Sequence, residues 1–105
     1  MITITINRTN NEITGFTVDG HAKFKPHGED IVCAAVSVLT QTALLGLGQY
    51  IVGIDYEIEA SGHLECKLPG LNEVDGIRAE AILETMVLGL KNIEKNYPGY
   101  VEIRA

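Results

Sequence analysis

The chain has 105 residues, 46% of them apolar and 21% charged, with a formal net charge of −6. That length suits one domain spanning residues 1–105, with a real core and no room for a second. The acidic balance excludes sequence-independent nucleic-acid binding, which needs a basic surface.

Ile2, Ile4 and Ile6 alternate with Thr3 and Thr5, which predicts a half-buried first strand. Asn7 to Glu12 reads as a polar, turn-rich link. From Ile13 to Ala22 alternation resumes, with Phe16, Val18, Gly20 and Ala22 on one face. Thr17, Asp19, His21 and Lys23 take the other, and the two strands are close enough to form an antiparallel hairpin. Lys23 to Asp30 reads as a loop, because Pro26 disfavours helix before it and Gly20 and Gly28 bracket the segment as hinges. Lys23 to Glu29 is therefore expected to act as a gate over the helix that follows.

Asp30 is a helix cap, its carboxylate suited to the unpaired N–H groups of a first turn. After it an apolar run extends from Ile31 to Val52, which predicts a central helix buried on nearly every side and fading around Gly46, Gly48 and Gly53. Its Ser, Thr and Gln residues and acidic cap argue against a membrane span. Ile54 to Glu59 and His63 to Leu68 alternate on either side of Ala60-Ser61-Gly62, a second hairpin. Ile54, Tyr56, Ile58, Leu64, Cys66 and Leu68 are expected inward. Asp55, Glu57, Glu59, Glu65 and Lys67 face solvent, where their charge is an ordinary wet surface or a bed for a cationic peptide. Pro69-Gly70 ends that strand. A second, amphipathic helix is expected from Asp75 to Asn96, stopped by Pro98-Gly99, before a last strand over Tyr100 to Arg104. The order ββαββαβ predicts an α+β domain, a mostly antiparallel sheet packed on two helices.

Cys33 is the third residue of the first helix, where unpaired N–H groups and the macrodipole favour thiolate over thiol. Asp30, Cys33, Ser37 and Thr40 or Gln41 recur at helical spacing, a polar stripe on an apolar helix, as the wall of a site would have. First-turn N–H groups near position 33 offer an oxyanion hole. A thiol nucleophile also needs a base. Of three histidines, His21 ends a strand and can fold back onto the helix start. His27 lies on the loop, and His63 has no tie to Cys33. The residues alone leave two readings of Cys33, nucleophile and small core residue. Cys66 alternates with Leu64 and Leu68 and reads as packing. Only these two cysteines occur, with no secretory leader, so free thiols in a reducing cytoplasm are expected rather than a disulfide framework.

Gly20-His21-Ala22, followed by Gly28-Glu29-Asp30-Ile31-Val32-Cys33-Ala34-Ala35-Val36-Ser37, resembles the signature of the ribosomal-processing cysteine protease family, Prp. The likeness extends to the element order and covers nearly the whole chain. It implies a cytosolic bacterial endopeptidase with a Cys–His dyad, removing the N-terminal extension of the large-subunit ribosomal protein numbered twenty-seven after an aromatic residue. On that resemblance His21 is the base and Cys33 the nucleophile. Asp30 and Ser37 match positions that orient the dyad or contact substrate.

The competing reading is a non-catalytic ribosome-assembly or basic-protein-binding module, in which Cys33 merely packs. A thiol-redox role is disfavoured by the lack of a C-x-x-C pair. The expected partners are a ribosomal-protein peptide and a second copy of the chain. One sheet and one amphipathic helix cannot cover a helix apolar on nearly every side, so a homodimer through that helix is expected. No metal, other cofactor, membrane or direct nucleic-acid partner is expected.

Overall fold

The computed structural model describes residues 1–20 and 30–105. Seven elements follow one another: β1 (Ile2–Thr9), β2 (Glu12–Gly20), α1 (Ile31–Tyr50), β3 (Asp55–Ile58), β4 (Leu64–Lys67), α2 (Glu73–Asn96) and β5 (Val101–Arg104). The strands form one sheet in the order β3-β4-β2-β1-β5. Its pairs are antiparallel except β1 with β5. This is the expected ββαββαβ, α+β architecture.

Alternation sets the sheet's inner face. Ile4 pairs with Val18, Val18 with Leu64, and Phe16 with Cys66, and all five are buried. The β1–β2 link is shorter than its polar sequence suggested. Asn10 and Asn11 adopt φ of 52° and 67°, the left-handed conformation that short amide side chains tolerate and a two-residue hairpin turn requires. Both strands therefore run on to meet at Thr9 and Glu12. A bulge follows, since Asn7 pairs with Gly15 but Arg8 with Ile13. The extra residue restores Ile13 to the inner face, three positions from Phe16, and both are buried.

α1 is buried along one side over nearly its whole length. Val32, Val36, Thr40, Ala43, Leu44 and Leu47 make its buried stripe. The expectation of burial on nearly every side is corrected: Ile31, Val38, Leu45 and Tyr50 are exposed. The helix also passes through Gly46 and Gly48 without fading, and ends when the Ile51 N–H donates to the Leu47 carbonyl at 2.9 Å. Each helical glycine costs about 1 kcal/mol relative to alanine, and the burial of Leu44 and Leu47 on the same turns offsets it. Gly46 faces Ile82 of α2, and a Cβ on Gly89 of α2 would come 3.0 Å from Leu39, so it is at Gly89 that small size lets the helices approach.

α2 starts two residues earlier than its periodicity suggested, because the Asn72 side chain caps it by accepting from the Asp75 N–H at 2.8 Å. Ala79, Leu83, Met86, Val87 and Leu90 face the core. Carboxylates tie the helix to the sheet. Glu84 pairs with Arg8 at 2.8 Å, and Glu94 accepts from the Ile103 N–H at 3.0 Å, covering part of the β5 edge. On the opposite edge, Tyr56 and Ile58 pair with Cys66 and Leu64 and so do face inward. Yet they are exposed rather than core. Alternation fixes which face a side chain takes; it does not supply an element to cover the outermost strand.

Glu80 lies half-buried beside Glu84 and Glu12, and its carboxyl is raised above the usual range, first by burial. The Ile13 N–H and Arg8 pull the other way without cancelling this. The native state thus holds that proton more tightly than the unfolded chain, so Glu80 disfavours the fold at neutral pH and ceases to as pH falls through its titration. Glu80→Gln should raise Tm at pH 7 by a shift worth about 0.5 kcal/mol or less. The gain should vanish in acid, as paired thermal melts would show.

Candidate active site

Asp30 stands at φ −79° and ψ 100°, outside the helix, and caps it. Its Oδ1 accepts from the Val32 and Cys33 N–H groups, each at 3.0 Å, and its carbonyl accepts from the Ala34 N–H at 3.1 Å. Such a cap contributes about 1 kcal/mol to helix stability. It also fixes Cys33 as the third helical residue, as the sequence predicted. Cys33 is partly buried, packs against the core and is in no disulfide.

The same bonds correct one expectation. First-turn N–H groups were to serve as an oxyanion hole, but those of Val32, Cys33 and Ala34 already donate to Asp30. The predicted polar stripe divides as well. Ser37, one turn beyond Cys33, is exposed, and so is Gln41. Thr40 is buried and its hydroxyl donates to the Val36 carbonyl at 2.9 Å, so it belongs to the core.

Gly20 ends β2 opposite Ile2 with φ +88°. A Cβ there would strike the Met1 carbonyl oxygen, so strand pairing demands glycine at this position whatever the next segment does. His21, His27, Gly28 and the gate segment Lys23–Glu29 lie outside the described residues. His63 precedes inward-facing Leu64 and so sits on the solvent face of the sheet. Its Nδ1 is 3.6 Å from Asp19 and its Nε2 3.8 Å from Glu65. The sheet stands between it and α1, which removes it as a base for Cys33.

Cys66 is fully buried, and burial, with a smaller effect of Asp55, pushes its thiol up to about 11. It is inert packing, as its alternation with Leu64 indicated. A cleft of about 640 Å³ bounded by Glu12, Ile13, Leu71, Ile77 and Glu80 lies at the other end of β2 from Gly20. It takes no part in chemistry at Cys33. Among the described residues no three His, Cys, Asp or Glu side chains come together to hold a metal.

The model of the family described as cysteine protease Prp matches residues 1–102. This chain belongs to the Prp cysteine protease family. It is 32% identical over 99 residues to the ribosomal processing cysteine protease Prp of Staphylococcus aureus strain Mu50, covering 91% of this chain and 89% of that one. To Prp of Bacillus subtilis strain 168 it is 31% identical over 102 residues, covering 92% and 90%. The crystal structure of S. aureus Prp with a covalently linked product peptide superposes at TM-score 0.88 and 27% identity, over 99% of this chain and 98% of that one. The same protease with a substrate peptide gives 0.81 at 25% identity, with the same coverage. The chain is therefore a cysteine protease, and the non-catalytic alternative is set aside.

The two thiols should separate cleanly in a labelling experiment. At neutral pH only about one Cys66 in ten thousand is thiolate, and it has no access to reagent. Iodoacetamide should add a single group to the native protein, on Cys33. Both cysteines should label in guanidinium, with peptide mass spectrometry as the readout.

Proposed function

We propose that this protease acts in the cytoplasm on the N-terminal extension of the large-subunit ribosomal protein numbered twenty-seven, with Cys33 as nucleophile and His21 as base. The observation that carries the reading is the setting of Cys33: a partly buried thiol in the first turn of a capped helix, in a chain of the Prp family. That position favours the thiolate. His21 follows directly on Gly20, whose backbone is held by pairing with β1. The relatives' name, ribosomal processing protease, supports a ribosomal protein as substrate. Two cysteines in no disulfide support a reducing compartment.

In this mechanism the Cys33 thiolate adds to the scissile carbonyl, and the His21 imidazolium passes its proton to the departing amine, leaving a thioester. Water, deprotonated by His21, then attacks the thioester and releases the new C-terminus. The S. aureus protein with its covalently linked product peptide supports such acyl-enzyme chemistry. Asp30 holds the first turn, and thereby Cys33, in register. Ser37 is one turn along on the same flank, placed to touch a bound peptide. Since Asp30 occupies the first-turn amides, the oxyanion donors come from elsewhere in the site.

We also propose that two copies pair through α1. Ile31, Val38 and Leu45 are 55%, 64% and 76% exposed at intervals of seven residues, the spacing of a helix–helix seam. Val52 continues the interval just beyond the helix. Three large apolar side chains in line on one helix face need a cover, and an identical seam provides one.

Two experiments test these readings. With a peptide spanning the ribosomal protein's N-terminal extension, Cys33→Ala should abolish cleavage and His21→Ala should lower turnover by about 10²–10⁴. His27→Ala should be near wild type, and an equal loss there would sink the assignment of the base. In sedimentation, the wild type at micromolar concentration should run as a dimer and Leu45→Lys as a folded monomer. A single 11.4 kDa species for the wild type would contradict the seam.

A further inference from the structure

We infer that Tyr56 and Ile58, on the uncovered inner face of β3, form the floor that receives an apolar side chain of the substrate beside the scissile bond. The inference rests on the protease reading above and names residues that select its peptide. Three observations place this floor against Cys33.

The first is the rotation of α1. Its contacts with α2 run through Leu39, which lies against Gly89, and Gly46, which lies against Ile82. Cys33 points about 120° and 140° round the helix from these two positions, in the same sense. The sheet-facing residues Val36 and Leu47 fall between. Passing round the helix, one meets α2, then the sheet, then Cys33. Because α2 lies over β5 and β2, the flank bearing Cys33 is the one on the β4–β3 side.

The second is position along the axis. A Cβ on Gly53 would be 3.8 Å from Pro69, which sets the end of α1 beside the residues that follow β4. From there the helix returns about 30 Å, towards the end of the sheet where Ile58 pairs with Leu64 and where β2 stops at Gly20. Cys33, Ile58 and the residue preceding His21 thus share one corner of the molecule.

The third is the surface itself. Tyr56 is 58% and Ile58 49% exposed on an edge strand, an arrangement that invites edge-to-edge association unless it serves a purpose. The carboxylates of Asp55 and Glu57 alternate onto the opposite face, leaving the inner side of β3 uncharged. An apolar side chain is what such a floor selects. The dimer seam does not compete for it, since Ile31, Val38 and Leu45 occupy the other side of α1 from Cys33. The occupant is therefore the substrate, bound in continuity with the nucleophile.

The test uses a peptide copying the N-terminal extension of the same ribosomal protein, together with copies carrying alanine at each apolar position in turn. Tyr56→Thr/Ile58→Thr keeps β-forming residues at both positions. It should retain the wild-type Tm, sedimentation and Cys33 alkylation rate. Its kcat/KM on the parent peptide should fall by roughly 10- to 200-fold, the range for a lost apolar contact in a selective pocket. One alanine peptide, cut poorly by the wild type, should be cut no more slowly by the variant. Wild-type rates from the variant on every peptide would overturn the inference. So would an equal loss on all of them, which would indicate a general disturbance, or a change of oligomeric state, which would make the floor a subunit contact. If the wild type cuts no peptide, the substrate reading fails and this inference falls with it, a result distinct from active wild type with indifferent variants.

Discussion

The rotational setting of α1 governs the molecule's chemistry. Packing of Val32, Val36, Thr40, Ala43, Leu44 and Leu47 into the core leaves the helix one orientation on the sheet, because turning it by one residue would expose several of these side chains at about 1.5–3 kcal/mol each. Once that stripe is seated, every other position follows. Leu39 and Gly46 meet α2, and Ile31, Val38 and Leu45 face outward. Asp30 adds the axial constraint. By ending the helix with two side-chain hydrogen bonds at 3.0 Å, it fixes the turn on which Cys33 falls. The position of Cys33 is thus determined by a cap and a core stripe.

Much of this was legible in the sequence, and the reasons differ by element. The isoleucines of β1 declare their face because a strand repeats every two residues. Asp30 declares the helix start because a short acceptor ahead of an apolar run has few other uses, and with it the position of Cys33 could be counted. What escaped was information held by tertiary neighbours. An apolar helix looks buried from its composition, yet burial depends on how many elements lie around it, and among the described residues only the sheet and α2 do. Gly46 and Gly48 read as breakers, since a sequence does not show that Ile82 packs on that turn. Asn10 and Asn11 read as polar link, when both were the left-handed pair of a tight turn. Tyr56 and Ile58 read as core because alternation assigns a face, whereas the sheet order that makes β3 an edge is not written locally. For the candidate site, capping chemistry singled out Cys33, while His21 was chosen from its place at a strand end and from the motif's resemblance.

The two cysteines show how one residue type is given opposite characters by backbone position. Cys66 lies mid-strand opposite Phe16, fully buried, where loss of solvation raises the cost of its anion and pushes the thiol up to about 11. Cys33 lies partly buried in the first turn of a helix, where amide dipoles favour negative charge. Asp30 complicates that picture. Its carboxylate uses the very N–H groups that would otherwise stabilise an anion there, trading some of the helix terminus's positive potential for a fixed helix start. On the proposed mechanism, activation of Cys33 would then lean more on a histidine than on the helix.

A small chain hides its apolar surface with difficulty, and two of the places that this one leaves uncovered, on α1 and on β3, differ in shape. The line on α1 is long and regular, repeating every seven residues, which suits a rigid partner presenting the same repeat. The patch on β3 is short, only Tyr56 and Ile58, and is bounded by the flank of α1 that carries Cys33. A surface that small cannot hold a protein by itself, since stable interfaces bury about 800 Å² on each partner, but it can select one or two side chains of an extended peptide. On the proposed dimer and the proposed floor, the two surfaces lie on opposite sides of α1, so association of subunits would not obstruct entry of substrate. One helix, locked by one stripe, would then keep the proposed assembly and the proposed site from competing for the same face.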